Sequence, residues 1–342
     1  MASPSSPSPL ASPALRALLG ASLLLAACAS HPRRSTPPTP APSGATWLRG
    51  AGDVRLYASI ERPEGAARCV LYLVLGPEIT SAPPYPLLSR AALARGYTLV
   101  TIHPRGAGYS DGLRGDIEDY DDFLDDLHLG LDLARTRFPE QPTVLFGHSA
   151  GAALALAVAA ETRHPLGGVL LVNPAYRLTY AKGMRPSFGD FVAYAFNSVF
   201  RRRALTVDLN SNPSAAAFAP DREEGEAMQR DPLVVRYFSL RMLSAQRRVM
   251  KRSPRSARAV DVPLLLVQGS HDALVDPRGN DEILAAARTR DKQKLIAAQG
   301  GHGSSAVETS VEPILAWLDE RCPRQEPSRR LALPAPLTRE HP

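Results

Sequence analysis

Gly147-His148-Ser149-Ala150-Gly151 sets a serine between two glycines, directly after the apolar run Thr143-Val144-Leu145-Phe146 and ahead of the alanine-rich run from Ala150 to Ala160. G-x-S-x-G between a strand and a helix describes a turn so tight that the serine hydroxyl is held exposed in a strained conformation. A serine hydroxyl is a weak nucleophile until a base removes its proton, so the turn predicts a histidine and an acid elsewhere in the chain. Asp272, in Gly269-Ser270-His271-Asp272, closely follows the apolar run Pro263 to Val267. His302, in Gln299-Gly300-Gly301-His302-Gly303-Ser304, follows Leu295-Ile296-Ala297-Ala298. In such a set His302 would take the proton of Ser149 and return it to the leaving group. Asp272 would fix the imidazole tautomer and stabilise the imidazolium. This chemistry calls for no metal and no organic cofactor.

Three neighbours compete for these roles. Asp276 lies further from its strand end than Asp272 and reads as a loop or helix-capping carboxylate. His271 reads as an exposed loop residue. His148, beside the serine, reads as a packing and hydrogen-bonding residue and not as the base.

Side chains so far apart in sequence meet only if the elements carrying them end at one place. Val54 to Ile60 alternates like a half-buried edge strand, while Cys69 to Leu75 is continuously apolar, as in a strand covered on both faces. Tyr97 to Ile102, Thr143 to Phe146, Gly168 to Val172, Pro263 to Val267 and Leu295 to Ala298 continue the strand series. Helical patterns cover Leu87 to Arg95, Asp116 to Phe138, the run from Ala150, Asp281 to Ala287 and Val311 to Arg321. In Asp116–Phe138, acids crowd the first turns and arginines the last, matching the helix dipole. The alternation predicts an α/β fold: a mostly parallel central sheet with helices on both faces. Residues 177–260 form an insertion between two strands, with its clearest helix over Asp231–Met250, marked by Leu233, Tyr237, Leu240 and Leu243. At a strand's carboxyl end it would sit over the ligand site as a helical lid; a separate binding domain is the other reading.

The chain has 342 residues, 44% hydrophobic and 22% charged, enough for one large core over residues 47–176 and 261–322. Residues 1–27 read as a secretory signal, with Arg16 before an apolar stretch too short to span a bilayer. Leu25-Ala26-Ala27-Cys28 resembles a bacterial lipobox, in which Cys28 is lipidated, and Ala29 points by the same resemblance to the outer membrane. An ordinary signal peptide with an incidental cysteine is the alternative. Residues 28–46, rich in Pro, Ser and Thr, read as a tether from a membrane lipid anchor, and 323–342 as a disordered tail. Cys69 and Cys322 could pair outside the cytoplasm, although Cys69 heads a core strand where a buried free thiol is common. The formal charge is +6, and Arg177–Val260 carries sixteen Lys/Arg against seven Asp/Glu. A solvated arginine-rich surface accounts for that excess, with anionic headgroups or acidic substrates as the functional alternative. No nucleic-acid module accompanies the charge. Oligomeric state is not legible.

The chain resembles the α/β-hydrolase family, in its monoacylglycerol lipase-like and serine aminopeptidase-like branch. Gly147–Gly151, Arg105-Gly106-Ala107-Gly108-Tyr109-Ser110-Asp111-Gly112, Gly269–Asp272, Gly301-His302 and Arg230-Asp231-Pro232-Leu233-Val234 carry the resemblance, over roughly Gly50 to Arg321. The order Ser149, Asp272, His302 is the family's order. The resemblance implies an oxyanion hole with the backbone N–H of Ala150 as one donor. The other would come from a loop that in the family usually reads His-Gly and here reads Leu75-Gly76-Pro77-Glu78. Pro77 has no N–H, which moves the expectation to Glu78. His103 stands where the family usually has aspartate, and altered loop bonding is expected there. The implied activity is hydrolysis of carboxylic esters, including small or mono-acyl lipid esters. An aminopeptidase holding a substrate amine on Glu223, Glu224 or Glu226 is one alternative, and a non-catalytic binding protein on the same scaffold is another.

Overall fold

A computed structural model describes residues 35–77, 79–179, 199–208 and 221–322. Cys28, Glu78, the signal segment, most of the tether and the tail 323–342 lie outside the described residues. The elements in chain order are β1 (Thr46–Arg49), β2 (Arg55–Glu61), β3 (Cys69–Val74), α1 (Pro86–Ala94), β4 (Tyr97–Ile102), α2 (Tyr120–Arg137), β5 (Thr143–His148), α3 (Ala150–Glu161) and β6 (Gly168–Val172). There follow β7 (Leu205–Asp208), α4 (Arg222–Arg230), β8 (Tyr237–Ser239), α5 (Leu240–Ala257), β9 (Leu264–Gly269), α6 (Pro277–Ala286), β10 (Lys292–Ala297), α7 (Ser304–Glu308) and α8 (Val311–Arg321).

Eight strands form one sheet in the order β1-β2-β4-β3-β5-β6-β9-β10. The pairs β1–β2 and β2–β4 are antiparallel and the rest are parallel. The central strands are apolar throughout because each serves two cores. On β3, Val70, Tyr72 and Val74 face a cluster shared with α2, α3, α5 and α6. Cys69, Leu71 and Leu73 face the other, shared with α1, α7 and α8. Residues from Gly151 to Val158 on α3 are all buried. This helix is apolar all round because it lies between the sheet and α5, and its alanines permit close approach.

Several expectations need correction. Val54–Ile60 is not the edge strand: β1, which begins at the last residue read as tether, pairs outside it. Within that segment the Ser35 carbonyl accepts the Gly112 N–H at 2.8 Å. The helix expected over Asp231–Met250 begins only at Leu240. Pro232 and the adjacent β-branched Val234-Val235 disfavour helix, and Ser239 supplies the cap, accepting the Met242 N–H at 3.0 Å. Within the insertion, Leu205–Asp208 and Tyr237–Ser239 pair as an unforeseen antiparallel ribbon, while α5 packs through Met242, Ala245 and Val249 into the main core. Helix α2 starts four residues later than expected, at the Asp119 cap. Asp116 instead binds Ser239 Oγ at 2.6 Å and the Arg241 guanidinium at 2.7 Å, fastening the start of α5.

Cys69 and Cys322, both fully buried, are joined in a disulfide that closes a 253-residue interval. It fastens α8 to the start of β3. Cross-linking residues so far apart mainly restricts the unfolded chain. Replacing both by alanine is expected to cost about 2–5 kcal/mol, read as a lower urea midpoint in the double variant, with turnover per folded molecule unchanged.

Candidate active site

Strands β5 and β9 and the segment after β10 end on the same side of the sheet, which brings the three singled-out residues together. Ser149 lies between β5 and α3 at φ 53°, ψ −118°. A Cβ on Gly147 would overlap the Gly151 carbonyl, and one on Gly151 would overlap the Val74 carbonyl, so the turn admits no side chain at either flank. Ser149 Oγ is 2.7 Å from His302 Nε2, and His302 Nδ1 is 2.9 Å from Asp272 Oδ2. The other carboxylate oxygen of Asp272 accepts the backbone N–H groups of Leu274 and Val275 at 2.8 and 3.0 Å. With its acceptor positions so filled, Asp272 cannot swing away from the imidazole. A hydroxyl, an imidazole and a buried carboxylate in this series can move a proton from oxygen to nitrogen as a bond forms at the oxygen.

The competing residues stand apart. Asp276 caps α6, accepting the Arg278 N–H at 3.0 Å, and pairs with the Arg278 guanidinium. His271 is exposed beside Ser270. His148 is bonded through Nε2 to the carbonyl of His302 and lies edge-on to Tyr85. Burial, then the neighbouring His302, lowers its pKa to about 4, which keeps it neutral. His103 is also buried, and burial with Arg114 nearby lowers its pKa to about 3. Its Nδ1 accepts the Tyr109 N–H at 3.1 Å, bonding that an aspartate would make differently.

Asn173 escaped the sequence reading. It directly follows β6 at φ 44°, fully buried. Its Nδ2 donates to the carbonyls of Gly301 and His302 at 2.9 and 3.2 Å, and its Oδ1 accepts the Gly269 N–H at 2.8 Å. One side chain thus ties the loop of the imidazole to the strand that leads to Asp272. The signal was present in Val172-Asn173-Pro174, an asparagine at a strand end, since asparagine tolerates positive φ better than most residues.

Ala150 opens α3, so its N–H is one of the four that a helix leaves without an internal acceptor. Gly76 lies against it: a Cβ there would be 3.7 Å from Ala150 Cβ. Pro77 is buried beside it and supplies no donor. Among the described residues no His/Cys/Asp/Glu cluster could hold a metal ion, and no helix is long and apolar enough to cross a membrane.

Comparison with known proteins agrees with this architecture. The family model described as serine aminopeptidase, S33 matches residues 82–306. Human monoglyceride lipase is 26% identical over 273 residues, covering 78% of this chain and 86% of its own. A monoacylglycerol lipase of Mycolicibacterium smegmatis is 26% identical over 243 residues, covering 71% and 84%. The crystal structure of a soluble variant of monoglyceride lipase from Saccharomyces cerevisiae, in complex with a substrate analog, superposes with a TM-score of 0.66 at 16% identity, over 84% of this chain and 99% of that one. The chain belongs to the serine aminopeptidase S33 family and has the α/β-hydrolase fold.

Proposed function

We propose that the protein hydrolyses carboxylic esters, with mono-acyl lipids such as monoacylglycerols or lysophospholipids as its substrate class, through an acyl-enzyme on Ser149. The observation that carries the reading is the unbroken series Ser149 Oγ–His302 Nε2–His302 Nδ1–Asp272 Oδ2, at 2.7 and 2.9 Å, on a serine with positive φ. Ser149 Oγ adds to the ester carbonyl as its proton passes to His302. The developing oxyanion is held by the N–H of Ala150 and, in this reading, by the N–H of Glu78. The imidazolium then protonates the leaving alcohol, and the acyl group stays on the serine. Water repeats the sequence, releasing the fatty acid and restoring the hydroxyl.

The choice of ester over peptide has a local reason. An aminopeptidase needs free carboxylates to grip an amine, yet Glu224 already accepts the N–H and hydroxyl of Ser304 at 2.8 and 2.9 Å. Glu223 and Glu226 are solvent-exposed on α4. The monoglyceride lipase relatives support the same class. The protein is further proposed to be held at the bacterial cell envelope, in the outer membrane, by lipid on Cys28. The buried Cys69–Cys322 disulfide supports an oxidising compartment.

A fluorophosphonate probe and two chromogenic substrates test the reading together. The wild-type protein is expected to label at Ser149 and to cleave p-nitrophenyl esters well above aminoacyl anilides. A protein that does not label, or that prefers the anilide, would refute it.

A further inference from the structure

The insertion reaches the loop of the imidazole through two carboxylates. Asp221, immediately before α4, is 5% exposed. Each of its oxygens takes a different backbone N–H: Oδ2 that of Gly303 and Oδ1 that of Ser305, both at 2.9 Å. One turn further on, Glu224 Oε2 accepts the N–H of Ser304 at 2.8 Å and its hydroxyl at 2.9 Å. Three successive N–H groups directly after His302 therefore end on side chains of the insertion. They lie at the start of α7, where a helix has no acceptors of its own, and Gly303, at the capping position, has no side chain to offer.

The far end of α4 is fastened as well. Asp231 Oδ2 accepts the N–H and hydroxyl of Ser81 at 2.7 and 2.6 Å, on the loop that leaves β3 past Pro77. Helix α4 has nine residues, a rod of about 13 Å. It joins the two loops that border Ser149: one bears His302, and the other carries Gly76 against Ala150.

We propose that Asp221 and Glu224 are positioning residues, through which the docking of α4 sets the His302 ring against Ser149. The proposal rests on the catalytic reading of Ser149 and His302 given above. Catalytic geometry must hold to about 0.5 Å. From the other side the His302 backbone is held by Asn173 and His148 at its carbonyl. Without the carboxylates the His302 backbone keeps the ties at that carbonyl, and the ring, still bonded to Asp272 through Nδ1, can pivot about them and shift relative to the hydroxyl.

The two carboxylates have different chemistry, which makes the proposal testable. Asp221 uses both oxygens on two N–H donors, and an asparagine there has only one acceptor; its amide nitrogen would face a backbone N–H. Glu224 uses one oxygen for both bonds, and a glutamine can present that oxygen unchanged. Gly303 offers a third approach. Its φ of −82° suits alanine, but a Cβ would overlap Glu224 Oε2 and lie 2.8 Å from Asp221 Cγ, wedging the insertion off its seat with both carboxylates still present.

The experiment measures kcat and KM on a p-nitrophenyl ester, the fluorophosphonate labelling rate and the melting temperature, all on the full chain. Asp221→Asn and Gly303→Ala are expected to lower kcat and the labelling rate on the order of 10²-fold, as for misplacement of a reacting group, with KM nearly constant. Glu224→Ala is expected to lose activity that Glu224→Gln largely recovers. A folded Asp221→Asn protein that turns over like wild type overturns the proposal, as does a Glu224→Gln protein as poor as Glu224→Ala. If Asp221→Asn does not fold, the Glu224 pair and Gly303→Ala decide in the same way. His302→Ala separates the two levels. If it labels as fast as wild type, the catalytic reading falls and the proposal with it. Slow labelling of His302→Ala beside an unaltered Asp221→Asn removes the proposal alone.

Discussion

Ser149→Ala and His302→Ala are each expected to lower kcat by about 10⁶-fold while leaving KM for an ester nearly unchanged, and the double variant is expected to be no worse than either single one. The magnitude follows from groups that act as a unit: a serine without its base, or a base without its serine, retains only the binding site and the oxyanion donors. KM is spared because the interactions lost are made chiefly in the transition state. The nearest substitute base has no access to the role. His148 is a weak base, its pKa lowered to about 4 by burial, and its Nε2 is already bonded to the carbonyl of His302. Steady-state kinetics on the three variants, with fluorophosphonate labelling to count active serines, checks the result. Additive losses in the double variant would show that the two side chains do not work together.

What the sequence made legible was whatever depends on short-range pattern at a strand end. Ser149, Asp272 and His302 each follow an apolar run by a few residues, and a parallel sheet brings such ends to one edge. The central strands were equally plain, since β3, β5, β6 and β9 are buried on both faces and read as unbroken apolar runs. Strand β1 was hidden because four residues, one of them the part-exposed Trp47, carry no periodicity, and it exists only through its pairing with β2. Helix α5 was drawn nine residues too long at its start because Leu233 and Tyr237 happen to fall at helical spacing, while both belong to segments shaped by tertiary contacts. Leu233 is held through its carbonyl by Arg114, and Tyr237 by the ribbon with β7. Asn173, Asp221 and Glu224 act on the imidazole loop over long sequence intervals, so no local window shows what they touch. Pairing of Cys69 with Cys322 likewise depends on where α8 docks, which composition does not specify.

Asp272→Asn is expected to reduce kcat by about 10⁴-fold, the loss associated with a wrongly protonated imidazole, and the surroundings of the carboxylate say why the replacement cannot be harmless. Two backbone N–H groups, from Leu274 and Val275, converge on Oδ1 at 2.8 and 3.0 Å. An asparagine must turn its single acceptor oxygen toward them, since its amide nitrogen would otherwise face two donors at a side chain only 2% exposed. The amide nitrogen is then left facing His302 Nδ1. To accept that hydrogen bond Nδ1 must give up its proton, and the neutral ring carries its hydrogen on Nε2, directed at Ser149 Oγ. A ring so protonated cannot take the serine proton, although every heavy atom stays in place. The outcome is measured as lost turnover and lost labelling with an unchanged melting temperature. Recovery of rate at high pH would not rescue the assignment of Asp272 as mere packing, because a packing residue would have no reason to control which nitrogen holds the hydrogen. Full activity in a folded Asp272→Asn protein would pass the orienting role to another group, and Asp276, bound to Arg278 at the head of α6, is not placed to accept it.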